Sequence, residues 1–277
     1  MKRDIVISII FRVISYAAFA IVIAIFLTFI LEGFMYFSPE FFTQFPQMGM
    51  TKGGIFPAII GSVSVLLLSL AVAIPLGVFT GVFLSEYAGK GFFSKIVDTS
   101  ITALSGVPSI VYGLFGLSIF CITLGFRTSI LSGSLTLAIM TLPVISSSVR
   151  EALQAVPREL RESAYALGAK KSEVVFKVVL TAAKERIITA VLIGGGRVIG
   201  ETAPILLTGA IFYSTMMPKG ILDPVMTLPS HIYYITMAYG QSAQWMAKGA
   251  SAFLMIFILI IYSTAFYIRR KISNAHK

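Results

Sequence analysis

Between Lys52 and Glu86 the chain runs for 33 residues without a charge, and stretches of this kind recur along it. Residues 13–31 form a 19-residue run between Arg12 and Glu32. Residues 99–126 and 128–149 are uncharged on either side of Arg127, 187–217 is broken only by Arg197 and Glu201, and 249–268 is again uncharged. A hydrocarbon core about 30 Å thick takes roughly 20 apolar residues to cross as a helix, because each backbone N–H and C=O must be satisfied within the segment. The pattern predicts an all-α, polytopic membrane protein with six transmembrane helices. Pro75 and Gly77 mark a kink in the second span, Pro108 a kink in the third. The first run follows basic residues, as a signal peptide does, but is longer and lacks a small-x-small cleavage site, so it reads as an uncleaved anchor. Composition agrees. Charged residues make up 12% of the chain and hydrophobic ones 57%, with a mean hydropathy of +0.90, which excludes a soluble globular fold.

The basic residues set the orientation. With the N-terminus in the cytoplasm, seventeen basic residues fall on that side: Lys2, Arg3, Arg12, Lys90, Lys95, eight between 150 and 186, and Arg269, Arg270, Lys271 and Lys277. Four fall outside: Lys52, Arg127, Lys219 and Lys248. The expectation is N-in and C-in. The net charge of +10 is accounted for by the membrane and gives no support to a nucleic-acid partner. Cys121, the one cysteine, lies in an apolar run and reads as a small filler. His231 and His276 are far apart and suggest no metal site. The outer segment 220–248 carries Tyr233, Tyr234, Tyr239 and Trp245, which suit an interface. It reads either as a half-inserted surface helix or as a docking face for an outer partner.

Thirteen of the 34 charged residues crowd into residues 150–186. Pro157 suits the first turn of a helix, and Glu159 and Glu162 follow where the helix dipole favours acids. Ala164 and Leu167 share an apolar face, and Gly168 supplies a left-handed residue that ends the helix. Ser172 reads as the N-cap of a second helix, with Glu173 behind it. Val174, Val175, Val178 and Val179 then follow at helical spacing. Two short helices around a glycine turn make a knob fit for a cleft on another protein; a solvated loop between spans is the plainer alternative.

Glu162-Ser163-Ala164-x-x-x-Gly168, followed by nine residues and an apolar pair, resembles the EAA loop of ABC importer permeases. The resemblance extends to Val178 and Leu180 but departs at Thr181, where that family usually has proline, and at Lys184-Glu185-Arg186. A continuous helix into the fifth span therefore stays open. Ile74-Pro75-Leu76-Gly77, Leu84-Ser85-Glu86-Tyr87-Ala88 and the stretch from Gly106-Val107-Pro108-Ser109 to Gly116 resemble phosphate-importer permeases. Gly200-Glu201-Thr202-Ala203-Pro204 is similar to the PstA-type subunit more than to its PstC-type sister. Covering roughly residues 59–268, the resemblance implies a type I ABC importer permease fold in a prokaryotic plasma membrane. It divides the chain into an anchor and external loop (1–58) and a permease core (59–277) with its coupling loop at 150–186. It further implies a PstC-type sister permease, an ATPase dimer and an external phosphate-binding protein. Glu162, Ser163, Ala164, Leu167 and Gly168 would then contact the ATPase.

Arg197 and Glu201 are the charges inside the predicted spans, and their spacing puts them on one helix face. Burying either alone costs at least ~2.5 kcal/mol, so each needs the other or a cavity. With Thr202 they are the candidate transport pathway. Arg197 would offer a guanidinium to an oxyanion, and Glu201 would orient it and keep the site weak enough for release; a structural ion pair is the alternative. Gly194-Gly195-Gly196 allows either close helix packing or local unwinding. No Gly-x-x-x-x-Gly-Lys-Ser/Thr occurs, so the chain is not itself an ATPase. It needs no cofactor of its own, and ATP and Mg would sit on the partner. An ion-coupled secondary anion carrier, or an ABC permease for another oxyanion, are the competing functions.

Overall fold

The computed structural model describes residues 2–89 and 91–274; Lys90, His276 and Lys277, counted above, lie outside the described residues. The chain is helical nearly throughout. α1 (Lys2–Phe34) leads through α2 (Pro39–Thr43) and a two-stranded turn (Pro46–Gln47 against Lys52–Gly53) to α3 (Phe56–Val82), which runs on into a π turn, Phe83–Tyr87. α4 (Phe92–Ser105), α5 (Ser109–Gly116) with its π extension Leu117–Thr123, and α6 (Ile130–Gln154) follow. Then come α7 (Arg158–Ala166), α8 (Lys171–Glu173), a π segment (Val174–Val179), α9 (Leu180–Gly200), α10 (Ala203–Thr208), α11 (Leu228–Tyr239) and α12 (Gln244–Asn274).

Among the described residues, four helical stretches are long and apolar enough to cross a bilayer: Ile7–Phe34, Phe56–Tyr87, Ile130–Gln154 and Leu228–Thr264. α4 and α5 with its extension make a fifth only if the bent pair counts as one span. α9 has the length, 21 residues, but carries Lys184, Glu185, Arg186 and Arg197. α1 lies outside the bundle with its apolar side chains exposed, packing on α12 and tied there by Glu32 to Lys248 at 2.8 Å.

The centre is α3 beside α6. They run parallel: the Ser134 hydroxyl donates to the Val65 carbonyl at 3.4 Å, and further along Gly77 meets Ile145 and Gly81 meets Val149. Apolar burial draws helices together weakly in lipid, so close backbone approach carries the association. α9 packs antiparallel on this pair through its three glycines, each against a different helix. An added Cβ would lie 3.0 Å from Ile145 of α6 at Gly194 and 3.3 Å from Leu70 of α3 at Gly195; at Gly196 it would enter the Tyr262 phenol of α12. The triplet is a packing device, and the helix passes through it without unwinding.

Three sequence expectations take a more specific form in the structure. Residues 99–126 do not form one gently kinked helix, because α4 and α5 meet at 107°. Pro108 cannot donate to the Leu104 carbonyl and its ring clashes there, and the chain turns a corner. The fifth span does not run through 187–217 but stops at Gly200. Pro204 stands four residues on and forbids the next helical bond; beyond α10 the chain is a loop in which Ala210 bridges Val225. Finally, α11 within residues 220–248 packs one face into the bundle. α11 buries Leu228, Pro229, His231 and Ile235, and its Leu228 N–H donates to Ser62 of α3 at 2.8 Å. Cys121 does fill a buried apolar position.

Gly196→Leu should separate α9 from α12. Overpacking costs about 1–3 kcal/mol, so thermal unfolding in detergent should show a lowered midpoint, restored in large part by adding Tyr262→Ala. An unchanged midpoint for the single variant would contradict the packing role.

Candidate functional site

Two separate regions hold the sequence-predicted residues, at opposite ends of α9. A 21-residue helix of about 30 Å divides them.

Before α9 stands the knob. Pro157 takes the N-cap position of α7 rather than its first turn, with φ −54° and ψ 141°. α7 closes as expected at Gly168, φ +82°, a conformation L side chains resist. The Gly168 N–H donates to Tyr165 O at 2.9 Å and the Ala169 N–H to Ala164 O at 3.1 Å, satisfying the last carbonyls of the helix. The expected Ser172 cap is not used. Lys170 is the N-cap, extended at φ −72° and ψ 156°, and its N–H is taken by the Glu173 carboxylate at 3.1 Å. That backbone bond first, and Lys177 at 3.0 Å second, hold the Glu173 carboxyl below its ordinary range, so the cap is intact at neutral pH and loosens only in acid. From Lys171 the helix then continues to Gly200 with no break at Thr181, the continuous form the sequence left open. Ala164 and Leu167 do not share a face: Ala164 packs on the valine core, whereas Leu167 is 90% exposed. Leu167 sits at the C-cap, where the helical repeat no longer fixes direction. Glu162 and Ser163 are exposed, as is Tyr165 at 46%.

Sequence reasoning missed Arg161 and Glu86. The Arg161 guanidinium donates to Glu86 Oε1 of the α3 π turn at 2.9 Å, and to the Leu153 and Val156 carbonyls at 2.8 and 2.7 Å. An arginine one turn into an otherwise outward-facing helix, just past a proline, is a faint signal for this. Its acidic partner lies 75 residues away and cannot be guessed.

Beyond α9 lies the second region. Arg197 Nε donates to Glu201 Oε1 at 3.3 Å, with the side chains 38% and 17% exposed. Among the described residues this is the only hydrogen bond from the guanidinium, whose two terminal nitrogens have no protein partner. Glu201 is extended (φ −75°, ψ 130°), and Thr202 opens α10, its carbonyl accepting from the Leu206 N–H at 3.0 Å. Against this interruption packs the other one. Gly113 of α5 abuts Pro204, where an added Cβ would lie 3.0 Å from Pro204 Cα. Tyr112 shares a buried cluster with Val198, and its hydroxyl donates at 2.7 Å to Leu104 O, the carbonyl released by Pro108. Two broken helices thus meet beside an arginine with spare donors, an arrangement suited to holding a small anion between helices.

A multi-pass helical bundle with interrupted inner helices is the fold of ABC transporter membrane chains. A chain of a bacterial alginate ABC transporter aligns with a TM-score of 0.66 at 17% identity, covering 94% of each chain. A chain of the MetNI methionine ABC transporter aligns at 0.63 and 20% identity, over 78% of this chain and 96% of that one. The chain belongs to the family of binding-protein-dependent transport system inner membrane components, whose model matches residues 73–272. Relatives include a probable ABC transporter permease protein of Bacillus subtilis, YqgI, 33% identical over 87% of this chain and 86% of the relative. The phosphate transport system permease protein PstA of Xylella fastidiosa is 31% identical over 85% and 82%. A probable PstA of Methanocaldococcus jannaschii is 32% identical over 77% and 75%. The anchor helix α1 precedes the family match.

Tyr112→Phe should remove the 2.7 Å bond to the Leu104 carbonyl, which keeps the Val107 N–H at 3.1 Å, at about 0.5–1.5 kcal/mol. A lowered unfolding midpoint with assembly retained is the expected result; no change would mean that the hydroxyl does not hold the corner.

Proposed function

We propose that the chain is one membrane subunit of an ATP-driven phosphate importer, forming half of its translocation path. Two relatives described as phosphate transport permeases, covered over most of their length, support the substrate class. Within the chain, the observation that carries the reading is Arg197. A guanidinium tied only through Nε keeps a two-pronged edge for an oxyanion. Glu201 neutralises that charge when the path is empty and competes with the anion when it is full, so binding stays weak enough for release. Thr202 adds a hydroxyl at the same interruption.

In this reading the bilayer is crossed six times, N-in and C-in. α4 with α5 forms the third pass, α9 forms the fifth, and the knob faces the cytoplasm of a prokaryotic cell. ATP and Mg belong to a separate ATPase dimer that receives the knob around Leu167 and Gly168, with Glu162, Ser163 and Ala164 beside it. A PstC-type sister permease completes the path and an external phosphate-binding protein delivers substrate. A secondary carrier would need a midplane carboxylate free to load its coupling ion; Glu201 is held by Arg197 instead.

Two measurements test this in vesicles holding the complete complex. Arg197→Lys keeps the charge but loses the planar fork, and phosphate uptake should fall although the complex assembles. Arg197→Leu with Glu201→Leu should likewise assemble without uptake. Near-normal uptake by that double variant would reduce the pair to a structural lock, since apolar replacement of a buried pair is often neutral.

Gly168→Val probes the knob. It demands φ +82° of a β-branched residue, at a cost of about 1–3 kcal/mol. The variant should insert yet lose the ATPase in co-purification. Normal association with full phosphate-driven hydrolysis would refute the docking role.

A further inference from the structure

The knob would be of little use if it swung freely on its two connections. Two consecutive residues at the end of α3 hold it. Glu86 takes the Arg161 guanidinium of α7, upstream of the Gly168 turn, and the Tyr87 ring receives the Lys171 ammonium, downstream of it, 4.9 Å from the ring centre. The two arms of the knob therefore close on one point of a helix that is not adjacent to either in sequence.

The ion pair to Glu86 differs from the other ion pair of this region. Lys177 and Glu173, within the knob, are 74% and 43% exposed, and such a pair contributes little. Arg161 and Glu86 are 18% and 10% exposed. The guanidinium also donates to the Leu153 carbonyl of α6 and to the Val156 carbonyl just past it, and the carboxylate also accepts from Ser85 at 2.9 Å. Removing one partner of so enclosed a pair strands the other charge. The contact also lands at a place able to pass motion on. Glu86 and Tyr87 lie in a π turn, where the Ala88 N–H reaches back to Phe83 O at 2.7 Å. Above that turn α3 packs along α6 and touches α9, the helix that carries Arg197.

We propose that Glu86 is a positioning residue for transport: through Arg161 it converts displacement of the knob into displacement of α3, so that hydrolysis and opening of the path occur together. The inference rests on the knob being the ATPase contact. A merely structural staple would hold α7 in shape and affect association alone.

Glu86→Ala leaves Arg161 both of its carbonyl bonds and decides the matter. In vesicles with ATPase and loaded phosphate-binding protein, the variant should bind the ATPase normally and continue to hydrolyse ATP. Phosphate imported per ATP should nevertheless fall by about tenfold, as expected for losing one element of a coupling network. Joining Glu86→Cys to Arg161→Cys with a short bifunctional maleimide should recover the ratio, since Cys121 is buried and does not compete for reagent. A normal ratio in Glu86→Ala would overturn the proposal, as would loss of the ATPase from that variant, or a bridged pair that assembles without recovery. If the double variant does not assemble, Glu86→Ala stands as the deciding case. Failure of the unaltered chain to hold the ATPase would instead refute the docking role of the knob, a distinguishable result.

Discussion

A lipid interior offers no partner to a free peptide group, so a helix there can be interrupted only where protein takes over the released bonds. The inner architecture of this chain follows from that condition. Pro108 and Pro204 each cancel a helical hydrogen bond, and the helices that follow the two breaks pack together where Gly113 meets Pro204. The Tyr112 hydroxyl and the Val107 N–H together take the Leu104 carbonyl that Pro108 cannot serve. The released backbone groups are thereby taken up within the chain near one junction. It is also the place where Arg197 and Glu201 stand.

The same economy explains the division of labour along α9. Its first turns belong to a charged knob, its middle to a glycine seam against three helices, and its last turn to an ion pair with spare donors. A helix packed so tightly at its middle moves as a body. The π segments at Phe83–Tyr87 and Val174–Val179 lie at the knob ends of α3 and α9. An extra residue per turn there shifts side-chain register without breaking the rod, which lets a cluster of valines from the knob seat beneath α6.

Features governed by local rules were legible in the sequence. The apolar runs, the Gly168 turn and the four-residue spacing of Arg197 and Glu201 all follow from hydropathy, backbone freedom and helical period. Those that failed depended on competition between near neighbours or on packing partners elsewhere in the chain. Ser172 lost the cap to Lys170 because Glu173 reached back to that N–H, a competition between neighbours that residue preferences do not rank. Ala164 and Leu167 were assigned one face, but the helix ends before the second of them. A proline corner of 107° and a bend of a few degrees look alike in sequence, since what separates them is whether some distant hydroxyl awaits the carbonyl. The burial of α11 was hidden for a similar reason: its tyrosines suit a membrane interface and a packed core equally.

The parallel pairing of α3 and α6 has a consequence for biosynthesis. Contacts across that seam join residues 69 positions apart, as from Val65 to Ser134. At ribosomal rates of about 5–20 residues per second, α3 waits roughly 3–14 s for its partner to be made. During that interval its Gly77 and Gly81 face, against which Ile145 and Val149 pack, has no native neighbour from the same chain. Assembly of the bundle is therefore gated by translation of the 92–123 corner, and slow codons there would lengthen the period in which a nascent chain is open to quality-control proteolysis.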